Sequence, residues 1–339
     1  MPLAGFGAEP HIKENMSSLI FAADKPWLAP LAGWSDLPFR LLCRESGAAV
    51  CCTEMVSAKG LVYGGRNTEE LLATRPDDNP LVVQLFGAEA PFLEKAVHLL
   101  QERGFEYFDL NMGCSVPKVT KTGSGSALLR TPEVALEVGE ALIRAAGEGK
   151  VGFKLRLGWE KTKDGSPNLC HELAHRFEDM GAGWITLHPR YARQSFTGIP
   201  DYAEFEKLAA SLSIPLIASG DLFYAEDGVR VLKEHGASAV MYARGAMSDP
   251  TIFARHLALL EGKTMPQPTR VEIAALVRRH MELARELCPA TALLKMRTFV
   301  PRYLKSLDGA RSLRQRLIQC TDWEGLDSII NDIASGPDA

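Results

Sequence analysis

No apolar run in this 339-residue chain reaches the 18 or so residues that a helical membrane span requires, so no membrane partner is expected. Paired cysteine spacing is missing as well. The seven cysteines form no disulfide framework, which points to a reducing compartment. The first 25 residues lack a basic start followed by an uninterrupted apolar core, so no signal peptide is read there and a cytoplasmic location is expected. A strong charge of either sign is lacking too: 38 Lys and Arg face 42 Asp and Glu, a net of -4. That excludes a protein that coats nucleic acid indiscriminately and leaves room for a local basic face. There are no internal repeats or low-complexity tracts. What remains is an ordinary globular composition, 46% hydrophobic and 24% charged, long enough for one large domain or two smaller ones.

The apolar residues recur as short blocks, each followed by a longer amphipathic stretch. Strands are expected over 28–32, 49–52, 80–86, 105–111, 151–156, 184–188, 214–219 and 239–244. Helices are expected over 91–103, 132–146, 169–180, 202–211, 225–235 and 250–260, with less regular ones near 37–45 and 66–72. Strands that are apolar at nearly every position fit a parallel sheet covered on both faces. Eight such units in about 240 residues match a (β/α)8 TIM barrel, with a doubly wound open sheet as the alternative. Polar residues at the strand ends favour the barrel: Gln84, Asn111, Lys154 with Arg156, His188, Ser219 with Asp221, and Arg244. In a barrel all these ends face one mouth.

The pattern changes after Gly262, where Pro266 and Pro268 mark a linker and helices are expected over 269–287, 291–306, 310–319 and 322–334. The expected organisation is a barrel over residues 1–262 and a small all-helical domain over 263–339. From Arg270 to Arg316 there are eleven Lys and Arg against four Asp and Glu, a net of +7 in a chain of -4. Such concentration suggests an anionic partner, and a solvated helical surface is the plainer alternative.

The stretch Asp109-Leu-Asn-Met-Gly-Cys114-Ser-Val-Pro-Lys118 leaves a strand and presents a carboxamide, a thiol and an ammonium in succession. Cys114 lies among Gly113, Ser115 and Lys118 rather than in an apolar block, so it is a candidate general acid or nucleophile. The loops after strands seven and eight, Ser219-Gly220-Asp221 and Ala243-Arg244-Gly245, stand where barrels bind phosphate. Their glycines allow close backbone approach and Arg244 adds a charge-assisted fork, although tight turns alone would also use glycine. Lys154 in a barrel mouth requires an anion or an electron-rich ring, and a reduced flavin, negative at N1, would serve. Gln84 and Asn111 could read such a ring's polar edge. His188 is either a further ring or phosphate ligand or a satisfied core histidine. A competing motif, His171-Glu172-Leu-Ala-His175, has the H-E-x-x-H spacing of zinc hydrolases. It falls on the helix after strand five, outside the mouth, where helix packing is the simpler role.

With Asn111-Met-Gly-Cys114, Gly123-Ser-Gly-Ser-Ala-Leu128 and Lys154-Leu-Arg156-Leu-Gly158-Trp all present, the chain resembles the tRNA-dihydrouridine synthases. The likeness runs from Leu28-Ala-Pro30-Leu-Ala-Gly33 through Gly245 and into the helical tail. It implies FMN over the barrel mouth and NADPH as reductant. It further implies flavin contacts from Pro30, Ala32, Gln84, Asn111, Lys154 and His188, with Ser219, Gly220, Asp221, Ala243, Arg244 and Gly245 around the phosphate. Cys114 matches the family's proton donor: hydride passes from flavin N5 to C6 of a uracil ring and the cysteine protonates C5. The resemblance also makes tRNA the partner, with Arg190, Arg193 and Lys118 as candidate RNA contacts, and requires neither a metal nor a protein partner. The family usually has proline directly after the cysteine, where this chain has Ser115. Three rivals follow from the residues: a flavin barrel acting on a small pyrimidine or enone, a zinc hydrolase built on His171, Glu172 and His175, and an RNA-binding barrel without turnover.

Overall fold

Eight parallel strands close into a barrel in a computed structural model that describes residues 19, 21–65, 68–161, 168–305 and 307–336. They are β1 (Trp27–Leu28), β2 (Val50–Cys52), β3 (Leu81–Phe86), β4 (Tyr107–Met112), β5 (Val151–Arg156), β6 (Trp184–His188), β7 (Leu216–Ala218) and β8 (Ala239–Tyr242). Each pairs with the next, and β1 closes the ring by pairing Trp27 with Met241 of β8. A two-residue strand, Val56–Ser57, extends the pairing at the end of β3. The open-sheet alternative is thereby excluded.

Strand alternation sorts the side chains into two layers. On β4, Phe108, Leu110 and Met112 face outward into the core shared with the helices, while Tyr107, Asp109 and Asn111 face the barrel interior. A separate apolar cluster fills that interior, with Trp27, Val50, Val82, Trp184, Ile217 and Met241 among its members. Its lower end is a floor of aromatic rings. Phe21 stacks on Trp27 at 5.4 Å between centroids, and both lie 5.7 Å from Trp184. Gly152 on β5 makes room for this floor, because a Cβ there would overlap the Trp184 indole. Replacing Gly152 with alanine is expected to cost about 3 kcal/mol by overpacking, read as a lower denaturation midpoint.

The expected strand over 28–32 stops at Leu28, since Pro30 has no N–H to donate to a ladder. The helices stand close to their expected positions, as at Pro132–Ala146, Leu169–Asp179 and Ala225–His235. Near 66–72 the described helix is Thr68–Leu71, and the first two residues of the expected one lie outside the described residues. Five short helical segments among the described residues escape the sequence pattern: Ala58–Val62, Pro117–Thr120, the 3-10 turns Gly125–Arg130 and Ala192–Gln194, and Arg244–Ser248. Three to six residues are too few to display a helical period.

Beyond the barrel stand four helices, Arg270–Leu287, Ala292–Tyr303, Ala310–Gln319 and Trp323–Ser335. The first begins on a capping box in which Thr269 and Glu272 bond each other's backbone N–H. These helices pack on the barrel around Phe299, whose ring meets Phe39 at 5.2 Å and Trp34 edge-on at 4.8 Å. Lys295 clamps the same junction, reaching Asp36 at 3.0 Å and Glu70 at 2.8 Å.

Candidate active site

Above the interior cluster, the C-terminal ends of the strands surround a cavity of about 240 Å³. Ala29, Pro30, Leu31 and Ala32 line it after β1, Asn111 at the end of β4 and Cys114 just beyond it, and Lys154 and Arg156 at the end of β5. His188, Ser219, Gly220, Asp221, Ala243 and Arg244 complete the circle. Most of the residues expected from the strand-end pattern therefore converge on one mouth. Gly245 lines a neighbouring cavity instead.

Electrostatics define this mouth. Lys154, Arg156 and Arg244 line it, and Asp221 is the one carboxylate among the described lining residues. Burial lowers the affinity of Lys154 for its proton, and the interior carboxylate of Asp109 opposes that loss. Burial raises the carboxyl of Asp109 in turn, with Gln84 and Lys154 working against the rise. His188 is pushed down to about 2 by burial and by the surrounding cations, chiefly Arg156 and Lys154, so it stays neutral and offers hydrogen bonds only.

The turn after β7 is built for close approach. Gly220 has φ +110, and a Cβ there would stand 2.5 Å from the His188 ring. Asp221 follows in the left-handed region at φ 50, a strained position for a residue with a side chain. Arg190 holds it there with two bonds, Nη1 to Oδ1 at 2.8 Å and Nη2 to Oδ2 at 2.5 Å, and Arg244 also bonds Oδ1. Burial alone would raise the Asp221 carboxyl, but these two arginines hold it below its ordinary value. Arg244 lies between the rings of Phe196 (4.4 Å) and Phe223 (4.8 Å) at the rim.

The cysteine loop is held from several sides. Asn111 Oδ1 accepts the backbone N–H of Gly113 at 3.2 Å and of Cys114 at 2.9 Å. Arg156 Nε donates to the Gly113 carbonyl at 2.9 Å, and Ser126 N–H donates to the Cys114 carbonyl at 2.9 Å. Gly125 lets the GSGSALL segment come this close: it has φ +63, and a Cβ there would sit 2.7 Å from the Cys114 carbonyl oxygen. Cys114 itself is half-buried, unlike Cys43, Cys51, Cys52 and Cys170, which are buried. Ser115 makes no side-chain hydrogen bond among the described residues, so the loop is fixed by Asn111, Arg156 and Gly125 rather than by the position that departs from proline.

Several expectations are revised. Gln84 is fully buried one layer below the cavity, bonded to Asp109 and Asn111, and does not line the mouth. Arg190 is 1% exposed and bound to Asp221, Thr197 and Gly198, so its guanidinium is structural and not open to RNA. Arg193 is exposed and paired with Glu160 at 2.8 Å, and Lys118 is exposed on the short helix beyond Cys114. His171 and His175 do not share a ligand site: His171 bonds Glu204 at 2.7 Å and His175 faces Glu178 at 3.5 Å. Glu204 also accepts from Lys207 at 2.5 Å, so ordinary packing accounts for the motif. Among the described residues, four of the eleven cations in the basic stretch of the C-terminal helices pair with acids: Arg279 with Glu45, Arg278 with Asp327, Arg316 with Asp332 and Lys295 with Asp36 and Glu70. Arg156, Met55, Phe196 and Phe223 belong to the site without having been assigned to it. The pairing of Arg156 with Lys154 at one strand end was the available signal; the two aromatics gave none.

A parallel barrel whose mouth gathers a buried lysine, arginines, glycine turns and a half-buried thiol is that of a flavin-dependent oxidoreductase. The excess of cations over carboxylates and the close-approach turn at Gly220 fit a flavin, whose ring becomes anionic on reduction. The chain belongs to the dihydrouridine synthase (Dus) family, whose model matches residues 27–334. It is 34% identical to a probable tRNA-dihydrouridine synthase 1 of Synechocystis sp. over 91% of this chain and 83% of that protein. It is 36% identical to a probable tRNA-dihydrouridine synthase of Rhodobacter capsulatus, covering 75% and 78%, and 33% identical to tRNA-dihydrouridine synthase B of Xanthomonas axonopodis pv. citri, covering 77% of each. A solved morphinone reductase variant in complex with tetrahydroNAD shares the barrel fold at TM-score 0.51 and 13% identity, covering 72% of this chain and 89% of that one.

Proposed function

We propose that this protein is a tRNA-dihydrouridine synthase that reduces the C5–C6 double bond of uridines in tRNA, using FMN and NADPH. The observation that carries this reading is the half-buried Cys114 held at the same mouth as Lys154. Bound FMN would supply the hydride. Cys114 delivers a proton to C5 of the uracil ring, since hydride addition at C6 leaves enolate character on the adjacent carbon. Lys154 balances negative charge on the reduced ring, and Asn111 and Arg156 keep the cysteine loop in place. Pro30, Ala32 and His188 would hold the ring, and Ser219, Gly220, Asp221, Ala243, Arg244 and the adjoining Gly245 would hold the phosphate.

A uridine inside folded tRNA must be turned out to reach this cavity, at a cost of a few kcal/mol. The rim offers exposed apolar groups for that purpose, Val116, Phe196 and Phe223. In this reading residues 1–262 act as the catalytic barrel and 263–339 as the tRNA-binding domain, with the enzyme working in the cytoplasm. Lys118, Lys305 and Arg311, which have no partner among the described residues, are the cations best placed to meet phosphate.

Purified protein is expected to be yellow, with FMN released on denaturation. Restoring the gene to a deletion strain is expected to restore dihydrouridine to its tRNA. A colourless protein that takes up no FMN would sink the proposal, and turnover of free uridine without RNA would replace it with the small-substrate alternative.

A further inference from the structure

Two carboxamides link the barrel interior to the cysteine loop. Gln84 Nε2 donates to Asp109 Oδ1 at 2.6 Å, and Gln84 Oε1 accepts from Asn111 Nδ2 at 2.8 Å. Asn111 Oδ1 then accepts the N–H groups of Gly113 and Cys114. Nearly every polar atom in this chain is committed. Asn111 Nδ2 also contacts Met55 Sδ at 3.0 Å, and only Asp109 Oδ2 is left without a partner.

A carboxamide can turn end for end with almost no change of shape, so such a chain has two possible directions. Only one of them leaves an oxygen facing the N–H of Cys114. In its ionised form, which Gln84 and Lys154 favour against burial, the Asp109 carboxylate accepts and never donates, so it compels Gln84 to present Nε2 to it and Oε1 to Asn111. That orientation in turn commits the Asn111 oxygen to the loop. The chain is short, buried and pinned at both ends, one by a carboxylate and the other by two backbone donors.

We propose that Asp109 is a positioning residue for Cys114, acting through Gln84 and Asn111 to fix the direction of this chain and thereby the backbone of the cysteine loop. The catalytic consequence rests on the reading of Cys114 as proton donor; the structural one does not.

The test is a double-mutant cycle on the FMN-loaded full chain with Asp109→Asn, Asn111→Ala and the combination, read by hydrogen exchange at Gly113 and Cys114 and by steady-state kinetics. An amide at position 109 is a weaker acceptor and leaves the direction free. Asp109→Asn is therefore expected to speed exchange at Gly113 and Cys114 about fivefold and to lower kcat about fivefold at saturating FMN, with KM for tRNA unchanged; FMN is kept saturating because the substitution also removes the carboxylate that opposes proton loss from Lys154. In the Asn111→Ala background the same substitution is expected to add nothing. Independent, multiplying effects would overturn the proposal, as would faster exchange spread equally along β4 and β5. Should Asp109→Asn fail to fold, Gln84→Met breaks the chain at its middle and must give the same loop-confined change. A protein that shows this exchange pattern yet makes no dihydrouridine would refute the function and leave the positioning role standing.

Discussion

Cys114→Ala is expected to lower the turnover of tRNA uridine by about 10²–10⁴, the range a positioned general acid contributes, while the protein keeps its flavin. The reasoning starts from where the loop's bonds fall. Asn111, Arg156 and Ser126 all hold the backbone of residues 113 and 114, and none of them holds the sulfur. Removing Sγ therefore takes away the acid and leaves the scaffold. Half-burial on the cavity wall gives the thiol access to a ring inside. Reduction of the flavin by a nicotinamide donor needs no proton from this thiol and is expected to proceed at the normal rate. Stopped-flow traces should then show a fast reductive half-reaction and a stalled oxidative one. Full turnover in the alanine variant would remove Cys114 from the chemistry.

Lys154→Met is expected to act on the other half of the site. A methionine matches the length of the lysine stem without its charge, so packing against the neighbouring strands is retained. The ammonium is buried, and its counter-charge, Asp109, lies in the interior rather than in the cavity. The field it projects into the mouth is therefore largely free to meet a bound anion. Charged hydrogen bonds of this kind contribute roughly 2–3 kcal/mol, so flavin affinity is expected to fall about 30- to 150-fold. Because the reduced ring carries the negative charge, most of this loss should fall on the reduced form. That corresponds to a midpoint potential lower by about 40–60 mV for a two-electron couple. Titration of the variant against a dye of known potential checks it; an unchanged potential with weakened binding would show that Lys154 merely fills space.

The barrel was legible because its strands are apolar on both faces and its helices are long enough to show their period. The mouth was legible for the same reason, since parallel closure carries every strand end to one side. What the chain order could not show was depth and long-range partnership. Gln84 and Asn111 both face inward, but Gln84 sits one layer lower. Arg190 lies beside residues that do reach the mouth, yet its side chain turns back to hold Asp221, 31 positions away. The basic surplus of the C-terminal helices was real as a count, and the sequence could not show which of its cations are paired. Glu45, Asp36 and Glu70, which neutralise part of it, come from the barrel more than 200 residues earlier. The H-E-x-x-H spacing did place two histidines on one helix, and Glu204 from the next helix claimed the first of them.

The aromatic floor of Phe21, Trp27 and Trp184 makes the barrel a cup rather than a pipe. Nothing the size of a nucleotide passes through its base, so whatever brings electrons and whatever receives them must come and go over the same rim. Reductant and RNA are then expected to approach the flavin from the same side of the barrel, the one ringed by Phe196, Phe223 and Val116.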